Sequence, residues 1–168
     1  MITLQLTDIK LFMNHLLKTE MFDSFLLPEA TIAQDATIII DGHRNDSYYT
    51  KEELAEQPQM RGNILPFSEL RSFCYQVIAS KKTPVSFRFT FQLSPSSMER
   101  VIAESYSGLT REDVSTVYIH LQFKNNSLTL TTGIAYRTFL TTRIFDEEWD
   151  VNVRKFLKKH GISYEEIQ

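Results

Sequence analysis

Cysteine is nearly absent: Cys74 is the only one in 168 residues. That excludes a disulfide within the chain and a cysteine-rich metal site. Cys74 also falls on an apolar helical stripe, which makes it a packed thiol rather than a reactive one. Glycine is sparse, at 5, and Thr131-Thr132-Gly133 lacks the lysine and helix of a phosphate-binding loop. Nucleotide hydrolysis by such a loop and Rossmann-type cofactor binding are both disfavoured, and the sequence implies no cofactor. No apolar run approaches the roughly 20 residues of a membrane helix. The opening residues read as a strand interrupted by Asp8 and Lys10, not as a secretory signal, so a cytoplasmic protein with no membrane partner is expected. The formal net charge of −3 argues against a broad basic surface for nucleic acid, while allowing a local patch.

What is present is ordinary for a globular chain. Hydrophobic content is 42% and charged content 23%, and the length suits one domain over 1–168 with a core that needs no staples. The stretch 85–145 organises the rest. Phe87, Phe89, Phe91 and Leu93 alternate with Arg88, Thr90 and Gln92, a period of two that separates an aromatic face from a polar one. Ser94-Pro95 starts a helix, Met98, Val101 and Ile102 recur along it, and Gly108 stops it. Val117, Ile119, Leu121 and Phe123 then share one strand face; Thr116, Tyr118, His120 and Gln122 share the other. Asn125-Asn126 reads as a tight hairpin turn, because asparagine tolerates positive φ. The return strand carries Leu128 and Leu130, Gly133 marks a bend or bulge, and 134–145 alternates as a third strand.

The N-terminal third has a similar order. Ile2, Leu4 and Leu6 form a strand, Thr7 or Asp8 caps a helix with the stripe Ile9, Phe12, Met13, Leu16 and Leu17, and 22–32 reads as a strand with Pro28 at a bulge or edge. A short strand at 37–41 and a returning one at 42–49 complete it. The fold class is therefore α+β: two β-α-β-β-β units with antiparallel meanders, over 2–49 and 85–145, plus a middle helix at about 66–80 and a C-terminal helix at about 146–160. The polar stretch of about 49–66 between the units reads as a mobile loop with one helical turn. The tail after Gly161 carries Ile162, Tyr164 and Ile167 to dock.

The densest polar cluster is Asp41-Gly42-His43-Arg44-Asn45-Asp46. In an extended chain Asp41 and His43 point to one side about 7 Å apart. With Asp46 they form a candidate divalent-metal site, or a phosphate site beside Arg44, serving a small hydrolase. Three or four converging ligands are required for that, and a solvated turn uses the same residue types. Lys81, Lys82 and Arg88 form a small basic cluster, and with Lys10 and Lys18 on the first helix they are the candidate phosphate or nucleic-acid contacts; lysines ending a helix also simply complement its dipole. His15 and His120 have no nucleophile and orienting partner at motif spacing, so no catalytic residue is assigned. Phe22, Phe25, Tyr48 and Tyr49 lie near proposed strand edges, where exposed aromatics would mark a surface for a protein partner. The expected function is a non-enzymatic binding or scaffold module acting through sheet edges or aromatic patches. A metal-dependent hydrolase at 41–46 and a weak nucleic-acid binder are the alternatives.

Two resemblances follow from particular segments. ITLQLTDIKLFMNHLL, FDSFLLPEATI, KKTPVSF, SLTLTTGIAYRTF and WDVNVRKFLKK together resemble an uncharacterised bacterial family, a domain of unknown function, which implies no activity. VSFRFTFQLSPSSMERVIAE followed by STVYIHLQFKNNSLTLTTG is similar to half of a DNA sliding-clamp domain, which implies a twinned fold. A clamp ring takes several such domains where this chain has a single one. Clamp helices also line the hole with basic residues, where the second helix here sets Arg100 against Glu99 and Glu104. The clamp resemblance therefore speaks to fold alone.

Overall fold

The structure, a computed structural model, describes residues 1–61, 63–79 and 82–167. Among them seven strands form one sheet: β1 (Thr3–Leu6), β2 (Leu26–Ala33), β3 (Thr37–Asp41), β4 (Ser86–Gln92), β5 (Val114–Lys124), β6 (Ser127–Tyr136) and β7 (Tyr164–Ile167). The order across the sheet is β3-β2-β4-β5-β6-β1-β7, and every neighbouring pair is antiparallel. Five α-helices among the described residues join them: α1 (Ile9–Lys18), α2 (Lys51–Glu56), α3 (Phe67–Ile78), α4 (Pro95–Ala103) and α5 (Ile144–Lys159). The class is α+β.

Local chemistry accounts for these elements. Asp8 caps α1 by accepting from Leu11 N at 2.9 Å, and Ser94 caps α4 by accepting from Ser97 N at 3.3 Å. Thr50 and Glu53 form a reciprocal capping box on α2, inside the stretch expected to be loop. Asn125 and Asn126 both take positive φ, 52° and 57°, and close the β5–β6 hairpin. Pro28 sits within the register shift between Leu26 and Glu29 on β2, because proline has no N–H to give to β4.

The core lies on one side of the sheet, under α1, α3 and α5. Phe89 and Phe91 of β4 meet Phe67 of α3, with ring centres 6.3 and 5.2 Å from it, while Phe87 stacks on Phe123 of β5 at 5.1 Å. Phe22 stacks on Phe91 at 4.7 Å. Cys74 is fully buried, and desolvation pushes its thiol up to about 12, so it is packed and inert. Asp150 of α5 is also buried against this face, where it accepts from Thr132 Oγ1 and, at 3.0 Å, from the Met1 amino group. Among the described residues no helix covers the opposite face of the sheet. The accessible surface of 10375 Å² accordingly exceeds the roughly 8,600 Å² expected of a compact chain of this mass.

Several expectations are corrected. Residues 42–49 do not return as a strand; only His43 bridges to Ile64, and Asp46–Tyr48 forms a 3-10 turn. Strand β6 runs straight through Gly133 and ends at Tyr136, so no separate strand covers 134–145, whose last two residues already belong to α5. Its free edge is already filled by β1, through Thr3 opposite Thr131, which leaves no place for a further meander strand. β2 begins at Leu26; Phe22 and Phe25 lie in the preceding turn and are buried rather than at an exposed edge. The docking tail is a strand, β7, beside β1. Each unit is therefore β-α-β-β. The units are also not equivalent: β4 lies directly beside its own β5, whereas β1 is separated from β2 by β4, β5 and β6.

Candidate functional site

The uncovered face is built by the polar register of each strand. Lateral pairing lines these residues up in rows. One row runs Asp41, Glu29, Thr90, His120, Thr131 and Thr3 across β3, β2, β4, β5, β6 and β1. The next runs Ile39, Thr31, Arg88, Gln122, Thr129 and Gln5. Directly paired side chains in such rows stand about 4.5–5.5 Å apart at Cβ. The polar alternation predicted on β4 and β5 thus becomes a continuous wet surface once the strands are ordered.

Two depressions adjoin on this surface and share Glu29 and Thr90. The first, about 300 Å³, is bounded by Thr31, Arg88, His120 and Gln122. The second, about 520 Å³, is bounded by Ile39, Asp41, His43, Ile64 and Tyr118. His120 centres the first. Its Nδ1 is 3.3 Å from Thr90 Oγ1, its ring stacks on Tyr118 at 5.5 Å, and it lies against Gly133, where a Cβ would stand 3.5 Å from Nε2. These walls remove part of the water around the ring, which keeps access to solvent, and this desolvation holds its pKa below the ordinary 6.5, favouring neutral imidazole near neutral pH.

Asp41 and His43 line the second depression. Asp41 Oδ1 accepts from His43 N at 3.0 Å and lies 2.6 Å from His43 Nδ1. The backbone hydrogen bond, then the side-chain one, lowers the Asp41 pKa, so the carboxylate is ionised and orients the ring. Gly42 makes this geometry possible. Its N–H donates to Pro28 O at 3.0 Å, and a Cβ there would stand 1.7 Å from Leu27 O.

The other sequence candidates are not brought together. Asp46 opens the 3-10 turn, and among the described residues no group of three or more His, Cys, Asp and Glu side chains is placed to hold a metal ion. Arg44 does not accompany His43 into the depression. Its guanidinium, 11% exposed, meets Tyr49 OH at 3.1 Å and Glu69 at 3.5 Å, and so fastens this segment to α3. Lys10 and Lys18 are exposed on α1, in the helical layer on the opposite side of the sheet from Arg88; Lys18 Nζ lies 6.0 Å from the Tyr75 ring centre. Lys82 follows α3, and Lys81 lies outside the described residues. Among the described residues these cations make no single basic surface. Glu29, Thr90 and Tyr118 were not singled out by sequence reasoning; the period-two register carried Thr90 and Tyr118, but nothing local set Glu29 beside them.

A model of a family of unknown function, DUF5721, matches residues 15–165, and the chain belongs to that family. No curated protein and no solved structure matches the chain, sliding clamps included. No helix among the described residues is long and apolar enough to cross a membrane.

Proposed function

We propose that this member of DUF5721 is a non-enzymatic, cytoplasmic binding module, and that it receives a polypeptide segment of a partner protein across the uncovered sheet face. One observation carries the reading: the two depressions adjoin through Glu29 and Thr90 beneath an uncovered sheet. Sites for small molecules enclose most of their ligand. These depressions are instead shallow, laterally continuous, and mix hydrogen-bonding groups (Arg88, Gln122, Thr90, His43) with apolar ones (Ile39, Ile64, Tyr118). That mixture suits a chain that offers both backbone and side chains. The lone, buried thiol accords with a reducing compartment.

The test is selection of binders from a displayed random-peptide library, with counter-selection against Thr90→Arg, which fills the shared wall without touching the core. Peptides that bind the parent and lose at least about tenfold on the variant, about 1.4 kcal/mol, support the reading. Binders indifferent to the substitution, or none, overturn it.

The Asp41–His43 contact supports a second reading, a small hydrolase in which an oriented imidazole acts as base. It requires that ester or phosphate-ester turnover by the purified protein be abolished in His43→Ala. Turnover unchanged in that variant removes it.

A further inference from the structure

The sheet ends on two edges of different character. β7 presents Glu165 and Glu166, the latter paired to Arg154 at 2.7 Å. β3 reads Thr37-Ile38-Ile39-Ile40-Asp41, with no lysine and no proline, and its register with β2 is unbroken over five pairs. Folded sheets blunt an open edge with charge, proline or a bulge. Along β3 only Asp41 is charged, it lies at the end, and Ile39 is 67% exposed.

We propose that β3 pairs antiparallel with β3 of a second copy, about a two-fold axis through Ile39, joining the two sheets edge to edge. The strand is self-complementary in that register. Ile39 faces Ile39, Ile38 faces Ile40, and Thr37 faces Asp41. β-Branched cross-strand pairs stabilise a ladder, and the threonine hydroxyl suits the carboxylate. The two Asp41 carboxylates stand four residues apart along the seam, roughly 13 Å, so like charges do not meet.

The helical layer adds apolar area at the same place. On α3, Tyr75 faces α1, where Lys18 lies over its ring. Phe73 is two residues away, about 200° around the helix, and so occupies the flank turned from α1. Val77, four residues on, shares that flank, and its carbonyl accepts from Gln34 Nε2 in the β2–β3 turn at 2.7 Å. Phe73 is 58% exposed there. An axis normal to the sheet keeps both helical layers on one side and brings the two Phe73 flanks toward each other. A five-residue seam alone is small beside the roughly 1,000 Å² that a specific interface buries. Ile38, Ile39 and Phe73 from both copies supply the remainder, and the contact is isologous and closed. The acidic β7 edge opposes further growth. Because Ile39 and Asp41 also line the larger depression, the axis would set two such depressions side by side.

This inference stands apart from the polypeptide-binding reading, since Thr90 is not at the seam. Sedimentation equilibrium of the full chain from about 1 μM to about 1 mM, a range that brackets weak association, should give a mass rising from 19.6 kDa toward twice that value. Ile39→Lys, which sets two ammonium groups face to face on the axis, should stay at the monomer mass while keeping its circular dichroism. In a second measurement, mild oxidation should cross-link Ile39→Cys through its own pair much faster than Thr37→Cys. Residues facing themselves at about 4.5–5.5 Å meet disulfide geometry, whereas Thr37 faces Asp41. A monomer at every concentration overturns the proposal. So does association that survives Ile39→Lys, or equal cross-linking at both positions, since either would place the interface elsewhere.

Discussion

Strand β4 shows both sides of the sheet in seven residues. Phe87, Phe89 and Phe91 enter an aromatic cluster beneath the helices, where hardly any of their surface meets water. Arg88, Thr90 and Gln92 turn to the other side, among side chains that keep access to solvent. On the dry face the energy resides in packing, and the buried carboxylate of Asp150 is satisfied by Thr132 and the Met1 amino group. On the wet face the hydrogen bonds compete with water and contribute little to stability. A protein so built can vary its open face almost without cost to the fold, which is what a binding surface requires.

Substitutions on the two sides should therefore differ by nearly an order of magnitude. Phe91→Ala should lower unfolding free energy by about 3–5 kcal/mol, from lost burial plus the cavity left behind. Thr90→Ala, the next residue on the other face, should stay within about 0.5 kcal/mol. Urea denaturation of both checks the contrast, and comparable losses would break it.

An intermediate effect should come from the polar set within the dry face. Thr132 Oγ1 donates to Asp150 and accepts from Ile2 N at 2.9 Å. Thr132→Val keeps the shape but strips both bonds, so about 1–3 kcal/mol should be lost. A neutral result would mean that this carboxylate is hydrated after all, and the boundary between the faces would have to be redrawn.

The smallest effect belongs to His120. Its folded pKa lies below the ordinary 6.5. As pH falls through 6.5, the unfolded chain takes up this proton before the native one does, so stability declines. The decline ends once pH passes below the folded pKa. His120→Gln should remove this share of the acid slope while leaving stability above pH 7 nearly unchanged. Denaturation midpoints at several pH values between about 5 and 8, the range in which histidines titrate, test the sign. A slope identical in the variant would show that the ring is as hydrated as any surface imidazole.

Much of this was legible beforehand, and for local reasons. The alternation in 86–92 and 116–123 marks which residues are dry, because side chains of a strand point to opposite faces. Asp8, Ser94 and Asn125-Asn126 act within four residues of themselves, so their caps and turn could be read directly. The Asp41–His43 pairing was also readable, since the partners are only two positions apart. The misreadings concern the neighbours a segment finds. Residues 134–145 alternate well enough for a strand, yet β1 occupies the edge they would need. Residues 42–49 have the composition of a returning strand or a turn alike, and the anchoring of Arg44 on Tyr49 and Glu69 decides for the turn.

By itself the sequence determined the β-α-β start of each unit, the helices near 66–80 and 146–160, the dry and wet registers, and the inertness of the single thiol. Each follows from periodicity or burial within a short window. Only the tertiary structure decided the order β3-β2-β4-β5-β6-β1-β7, and with it the row that sets Asp41 and Glu29 beside Thr90 and His120. Those residues are up to 91 apart in number. Their meeting depends on which strands bury one another's apolar faces, a choice that the whole core makes at once.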